Sequence, residues 1–148
     1  MMLTGLASLG ALALSATVRA DNQDTIDYRE HVMKTLGAQV GAIELIVQNK
    51  VPPEDNSNLA THLKILALTA STAKAAFKDN VPGGEAKPNI WSASGLSADF
   101  AKRMDELAAN TADLEKSASG NASDVAGKLQ SVLTCKGCHD QYREQKKK

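Results

Sequence analysis

Past residue 20 the apolar positions recur at intervals of three and four, and no alternation of apolar and polar residues runs long enough to make a strand. A first helix is predicted from about Asp24 to Asn49, with Ile26, Met33, Leu36, Val40, Ile43 and Val47 forming a seam whose one gap is filled by Arg29. Val51-Pro52-Pro53 ends it. A second begins at a Ser57/Asn58 cap and carries Leu59, Leu63, Leu66, Ala70, Ala73 and Phe77 on one face, stopping before Asp79-Asn80. A connection from Val81 to Gly95 holds Pro82-Gly83-Gly84 and Pro88, with Ile90-Trp91 as an apolar latch. The third helix starts near Ser94 or Ser97, places Phe100, Met104, Leu107, Thr111, Leu114 and Ala118 at seam spacing, and breaks at Ser119-Gly120-Asn121. Ser123 caps a fourth, in which Val125, Leu129 and Val132 lead without interruption toward the C-terminus. The pattern predicts an all-α fold, an antiparallel four-helix bundle.

Residues 1–20 read as a targeting segment. Leu3 to Ala16 is apolar but shorter than the ~20 residues of a membrane span, and Val18-Arg19-Ala20 places small residues at a cleavage site, so export to the periplasm with cleavage after Ala20 is expected. The remaining residues 21–148 fit one domain. The chain has 17 basic and 17 acidic side chains, and losing Arg19 with the leader leaves a charge of −1, which selects no nucleic-acid partner. Two Phe, two Tyr and one Trp are a thin aromatic supply for a core of this size, a shortage that a large flat buried cofactor would fill.

That cofactor is indicated by Cys135-Lys136-Gly137-Cys138-His139. Two thiols three positions apart can add across two vinyl groups of a haem while an adjacent imidazole reaches the iron, so C-x-x-C-H reads as an attachment site for one covalent haem c. A redox dithiol would sit where a strand enters a helix, and none is predicted; a structural zinc site would need a second ligand pair, and only the distant His31 and His62 remain. On a helix, Cys135, Cys138 and His139 project to one side, where they can grip one porphyrin face.

The run Cys135 to Arg143, at the end of the last of four helices, resembles the C-terminal signature of the class II c-type cytochromes, the cytochrome c′ family and its low-spin, methionine-ligated relatives. Tyr28-Arg29-Glu30-His31-Val32-Met33-Lys34 is similar to the opening segment of that family, and Pro88-Asn89-Ile90-Trp91 to the segment ahead of its third helix. The resemblance covers nearly all of residues 24–146. It implies that Arg29, a permanent cation on an apolar seam and so in want of an anion, meets the haem propionates, and that Arg143 neighbours the axial His139. It also implies that Met33 holds the distal position, either as a sixth iron ligand or as an unbound bulky side chain; the run from Val32 to Gly37 looks more like the low-spin branch. Replacing Arg29 by leucine is expected to leave the bundle largely intact and lower the haem potential. His31 points away from the seam, and His62 is a boundary residue and the weaker candidate for a sixth ligand.

No nucleophile beside a histidine and no paired carboxylates in an apolar setting appear, so an enzyme is not expected. The expected role is electron transfer between redox partner proteins through a His- or His/Met-ligated haem. The alternative is a five-coordinate, high-spin iron that takes nitric oxide or carbon monoxide. The resemblance further implies a homodimer formed through the first two helices.

Overall fold

The computed structural model describes residues 21–119, 122–132 and 134–145; residues 1–20, the Gly120-Asn121 break, Leu133 and the last three lysines lie outside them. The helices are α1 (Asn22–Val47), α2 (Leu59–Ala73), α3 (Ala98–Glu115), α4 (Ala122–Val132) and α5 (Cys135–Tyr142). The first four pack as an antiparallel four-helix bundle, as the spacing predicts.

The boundaries show local chemistry that the periodicity does not carry. Asp21 caps α1 by accepting from the Asp24 amide at 2.8 Å. The helix ends before the prolines, because Asn49 adopts a left-handed φ of 52° and lets the Lys50 and Asn49 amides close back on the Leu45 and Ile46 carbonyls at 2.9 and 3.0 Å. The expected Ser57/Asn58 cap is not used. A 3-10 turn over Pro53–Asn58 runs directly into α2, and Asn58 sits in right-handed helical geometry with no capping bond. Ser97 does stand at the N-terminus of α3, yet its hydroxyl makes no cap bond. The predicted fourth helix is two: α4 stops at Val132 and α5 begins at Cys135. A two-stranded hairpin, β1 (Trp91–Ser92) and β2 (Gly95–Leu96), was not predicted, since two-residue strands are too short to show alternation.

The core is the predicted one on α2, where Leu59, Leu63, Leu66, Ala70, Ala73 and Phe77 are all buried. Full burial of each leucine contributes about 1.5–3 kcal/mol. On α3 Phe100, Met104, Thr111 and Leu114 are buried, the Thr111 hydroxyl satisfied by the Leu107 carbonyl at 2.9 Å. On α1 the stripe is rotated from the predicted one. Val32 and Ile46 join Leu36 and Ile43 in the core, whereas Met33 and Val40 are half-buried because they border a cavity.

The connection from Val81 to Gly95 is built into the bundle. Ile90 and Trp91 are buried, and the Trp91 indole donates to the Phe77 carbonyl at 2.9 Å, the latch expected from the sequence. Gly83 and Gly84, at φ 134° and 59°, bring its backbone against Ile26 and Glu30 of α1. Farther along, the connection holds α5. The Lys87 amide donates to the Tyr142 carbonyl at 3.0 Å, the Glu144 amide to the Glu85 carbonyl at 2.8 Å, and the Lys87 ammonium and Asn89 amide to the Asp140 and Gln141 carbonyls at 3.1 and 3.3 Å. The bonds to the carbonyls of residues 140–142 satisfy groups that a helix leaves bare at its C-terminus.

A Cβ at Gly83 would lie 2.7 Å from Ile26 Cδ1 on a left-handed backbone, while one at Gly127 inside α4 meets nothing within 4 Å. Urea unfolding is expected to show Gly83→Ala destabilised by about 1–3 kcal/mol and Gly127→Ala stabilised by about 0.5–1 kcal/mol. Equal effects at the two sites would contradict this packing.

Candidate haem site

A cavity of about 570 Å³ lies between α1, α3, α5 and the connection, within the ~300–1,000 Å³ usual for ligand sites. Cys135, Cys138 and His139 all line it. Cys135 opens α5, so the cysteines at i and i+3 and the imidazole at i+4 share one face of a short helix rather than the middle of a long one. No disulfide joins the two cysteines, and burial against the cavity wall raises the pKa of both thiols. The His139 imidazole is pushed below its usual pKa, first by desolvation and then by the charge of Arg143, a direction that favours the neutral form a metal takes.

The remaining walls are mostly apolar. Met33, Leu36, Gly37 and Val40 come from α1, and Phe100, Met104 and Leu107 from α3. Each charged side chain on the lining is tied. Glu30 pairs with Lys34 at 3.1 Å, and Arg143 forms an ion pair with Glu85. Arg29 is 2% exposed, which removes the solvated, snorkelling alternative for an arginine near the bundle end. Its Nη1 and Nη2 donate to the Val81 carbonyl, both at 3.1 Å, and Nη2 also to the Gly83 carbonyl at 3.2 Å. The Phe77 and Trp91 rings stand 5.3 Å away on either contact. Burial lowers its pKa, but a guanidinium starts so high that it stays charged.

Thus the structure brings together every predicted site residue: Arg29, Met33, Cys135, Cys138 and His139 border one cavity. It leaves the other histidines out. His31 is exposed, and the His62 ring bonds the Gln39 amide oxygen at 2.7 Å on the boundary between α1 and α2. Sequence reasoning missed Glu85, which sits in a loop without periodicity, and Asp99, which reads as an ordinary acid in a first helical turn. It also assigned Arg29 an anion alone, whereas the guanidinium ties α1 to the connection through three hydrogen bonds.

Two thiols and an imidazole on one helix, facing an apolar cavity large enough for a flat macrocycle, define a c-type haem protein built on a helical bundle. The comparisons agree. The family model for cytochrome c′ matches residues 24–143, and the chain belongs to the cytochrome c′ family of class II c-type cytochromes, which binds covalent haem c. A cytochrome c′ from Pararhodospirillum photometricum is 32% identical over 125 residues, covering 80% of this chain and 95% of that one. A cytochrome c-556 from Agrobacterium tumefaciens is 28% identical over 127 residues, covering 82% and 98%. The solved nitric oxide complex of a cytochrome c prime variant from Alcaligenes xylosoxidans superposes with a TM-score of 0.71 at 25% identity, covering 86% of this chain and 99% of that one. The residues present fit the group: Cys135 and Cys138 would carry it, His139 would face its iron, and Arg29 stands at the cavity wall with two N–H groups beyond those given to the connection.

The ties of Arg29 to the connection bear on the expectation that leucine there would leave the bundle largely intact. Arg29→Leu leaves the Val81 carbonyl without its guanidinium donor and takes one of two donors from the Gly83 carbonyl, which keeps the Ala86 amide, and is expected to cost about 1–3 kcal/mol in urea unfolding of the holoprotein. A cost below about 0.5 kcal/mol would contradict the assigned bonds.

Proposed function

We propose that this protein carries one haem c on Cys135 and Cys138 with His139 as axial ligand, and that a small diatomic gas, nitric oxide or carbon monoxide, binds the iron on the side covered by Met33. The observation that carries this reading is the chemistry of the cavity wall. At Met33, Leu36, Gly37 and Val40 on α1, and at Met104 and Leu107 on α3, it offers no side-chain hydrogen-bond donor, and the charged lining residues, Lys34 among them, are engaged with one another or with backbone. Distal polarity decides what a haem iron does, and an apolar pocket suits neutral diatomics better than oxygen activation. The nitric oxide complex of a structural neighbour supports the same choice over electron transfer, the role first expected from the sequence. Haem c supplies the ligand-binding and redox-active iron; the chain supplies its tether, axial base and dry surroundings.

A second reading has its own support. Met33 brings a thioether to the cavity, and a relative is a cytochrome c-556. If that sulfur ligates the iron, a six-coordinate His/Met centre exchanging electrons with redox partners replaces the gas binder. In either case we propose periplasmic export by residues 1–20. Four exposed apolar side chains on α1 and α2, Tyr28, Leu45, Ile65 and Leu68, are the surface that a homodimer would cover.

The ferrous wild-type protein is expected to bind carbon monoxide directly, and Met33→Ala to speed association about tenfold, a barrier change of ~1.4 kcal/mol, by clearing the pocket. Stopped-flow mixing followed by absorbance checks both. A wild type that refuses carbon monoxide while Met33→Ala accepts it would move the assignment to the methionine-ligated electron carrier.

A further inference from the structure

Tyr142 stands three residues after His139 and four after Cys138 and lines the same cavity. Its ring is buried and packs edge-on against Phe100 at 5.1 Å, which packs in turn against Phe77 at 5.0 Å. The Tyr142 hydroxyl donates to Asp99 Oδ2 at 2.6 Å and accepts from the Gln141 amide at 3.1 Å. The same Asp99 oxygen accepts from Arg103 Nε at 2.7 Å. Asp99 lies in the first turn of α3, where the helix dipole favours its charge, so the tyrosine bond is a charge-assisted one to a well-supported carboxylate.

The place of this chain in the fold gives it a task. Because α4 ends at Val132, α5 does not take its orientation by continuing a longer helix. The backbone and side-chain hydrogen bonds of residues 85–89 fasten its C-terminal end to the connection, and a helix held along one edge can still roll about that edge. The tyrosine bond ties it to a different element, α3. We propose that Tyr142, Asp99 and Arg103 form a positioning device that fixes the roll of α5 and with it the directions of the Cys135 and Cys138 thiols and the His139 imidazole. Tyr142 is the positioning residue; Asp99 is its anchor, and Arg103 holds the anchor in place. The proposal rests on the reading that Cys135, Cys138 and His139 hold the haem.

The test uses the holoprotein and three variants. Tyr142→Phe keeps the ring and removes the hydroxyl, Asp99→Ala removes the acceptor, and Asp99→Asn keeps an acceptor oxygen. Hydrogen–deuterium exchange at the Cys138 and Arg143 amides reads the mobility of α5, and ferric electron paramagnetic resonance reads the iron's surroundings whether it is high-spin or low-spin. Tyr142→Phe and Asp99→Ala are each expected to raise exchange in α5 about tenfold and shift the resonance, leaving exchange in α2 unchanged. Asp99→Asn should restore most of both, and combining Tyr142→Phe with Asp99→Ala should add nothing to either alone. A lower melting temperature with unchanged α5 exchange and resonance, or additive effects in the double variant, would overturn the proposal. Wild-type protein without covalent haem by mass would overturn the site reading instead; the response of α5 exchange to the same variants would then separate the two failures.

Discussion

The site depends on the docking of a short helix onto a connection. An isolated helix of eight residues is not stable in water, because the cost of nucleation is spread over too few bonds. Here α5 is held from outside: residues 85–89 satisfy its terminal carbonyls, Glu85 takes the Arg143 guanidinium, and Tyr142 seats against Phe100. Without those ties there is no reason for Cys135, Cys138 and His139 to share a wall of the cavity. The connection is itself fixed by Arg29, whose buried charge would be costly if it did not donate to the Val81 and Gly83 carbonyls and contact the Phe77 and Trp91 rings. One cation on α1 thus reaches the haem helix through the backbone between them.

This arrangement also explains the apolar character of the cavity. Charges are gathered near the connection, where Glu30 meets Lys34 and Glu85 meets Arg143, and the remaining wall is left to Leu36, Val40, Met104 and Leu107. The charges are engaged in pairs while they remain on the lining. Met33 sits among these apolar residues, and its half-burial has the same cause as that of Val40: the neighbour of each is cavity rather than close-packed core.

Much of the fold and the centre of the site were legible from the chain. Period-3.6 spacing located α2 and α3 and nearly all of their buried residues, because a helix against a core must present one apolar face. The haem motif needed no fold, since its chemistry lies within five consecutive residues. What escaped depends on contacts distant in sequence or on single backbone angles. The left-handed turn at Asn49 ended α1 ahead of the prolines, and the division of α4 from α5 follows from where α5 docks. Bonds from Arg29 to residue 81, from Arg143 to Glu85 and from Tyr142 to Asp99 each join segments more than forty residues apart, for which periodicity has no signal.

The central claim is that this cavity holds a haem tethered by both cysteines of α5. Mass spectrometry of a peptic digest after thiol alkylation tests it most directly, on protein made in a bacterium able to attach haem c. The account predicts a single peptide carrying Cys135, Cys138 and the mass of one haem, with neither cysteine alkylated. Two alkylated cysteines in protein purified with a bound haem would contradict it.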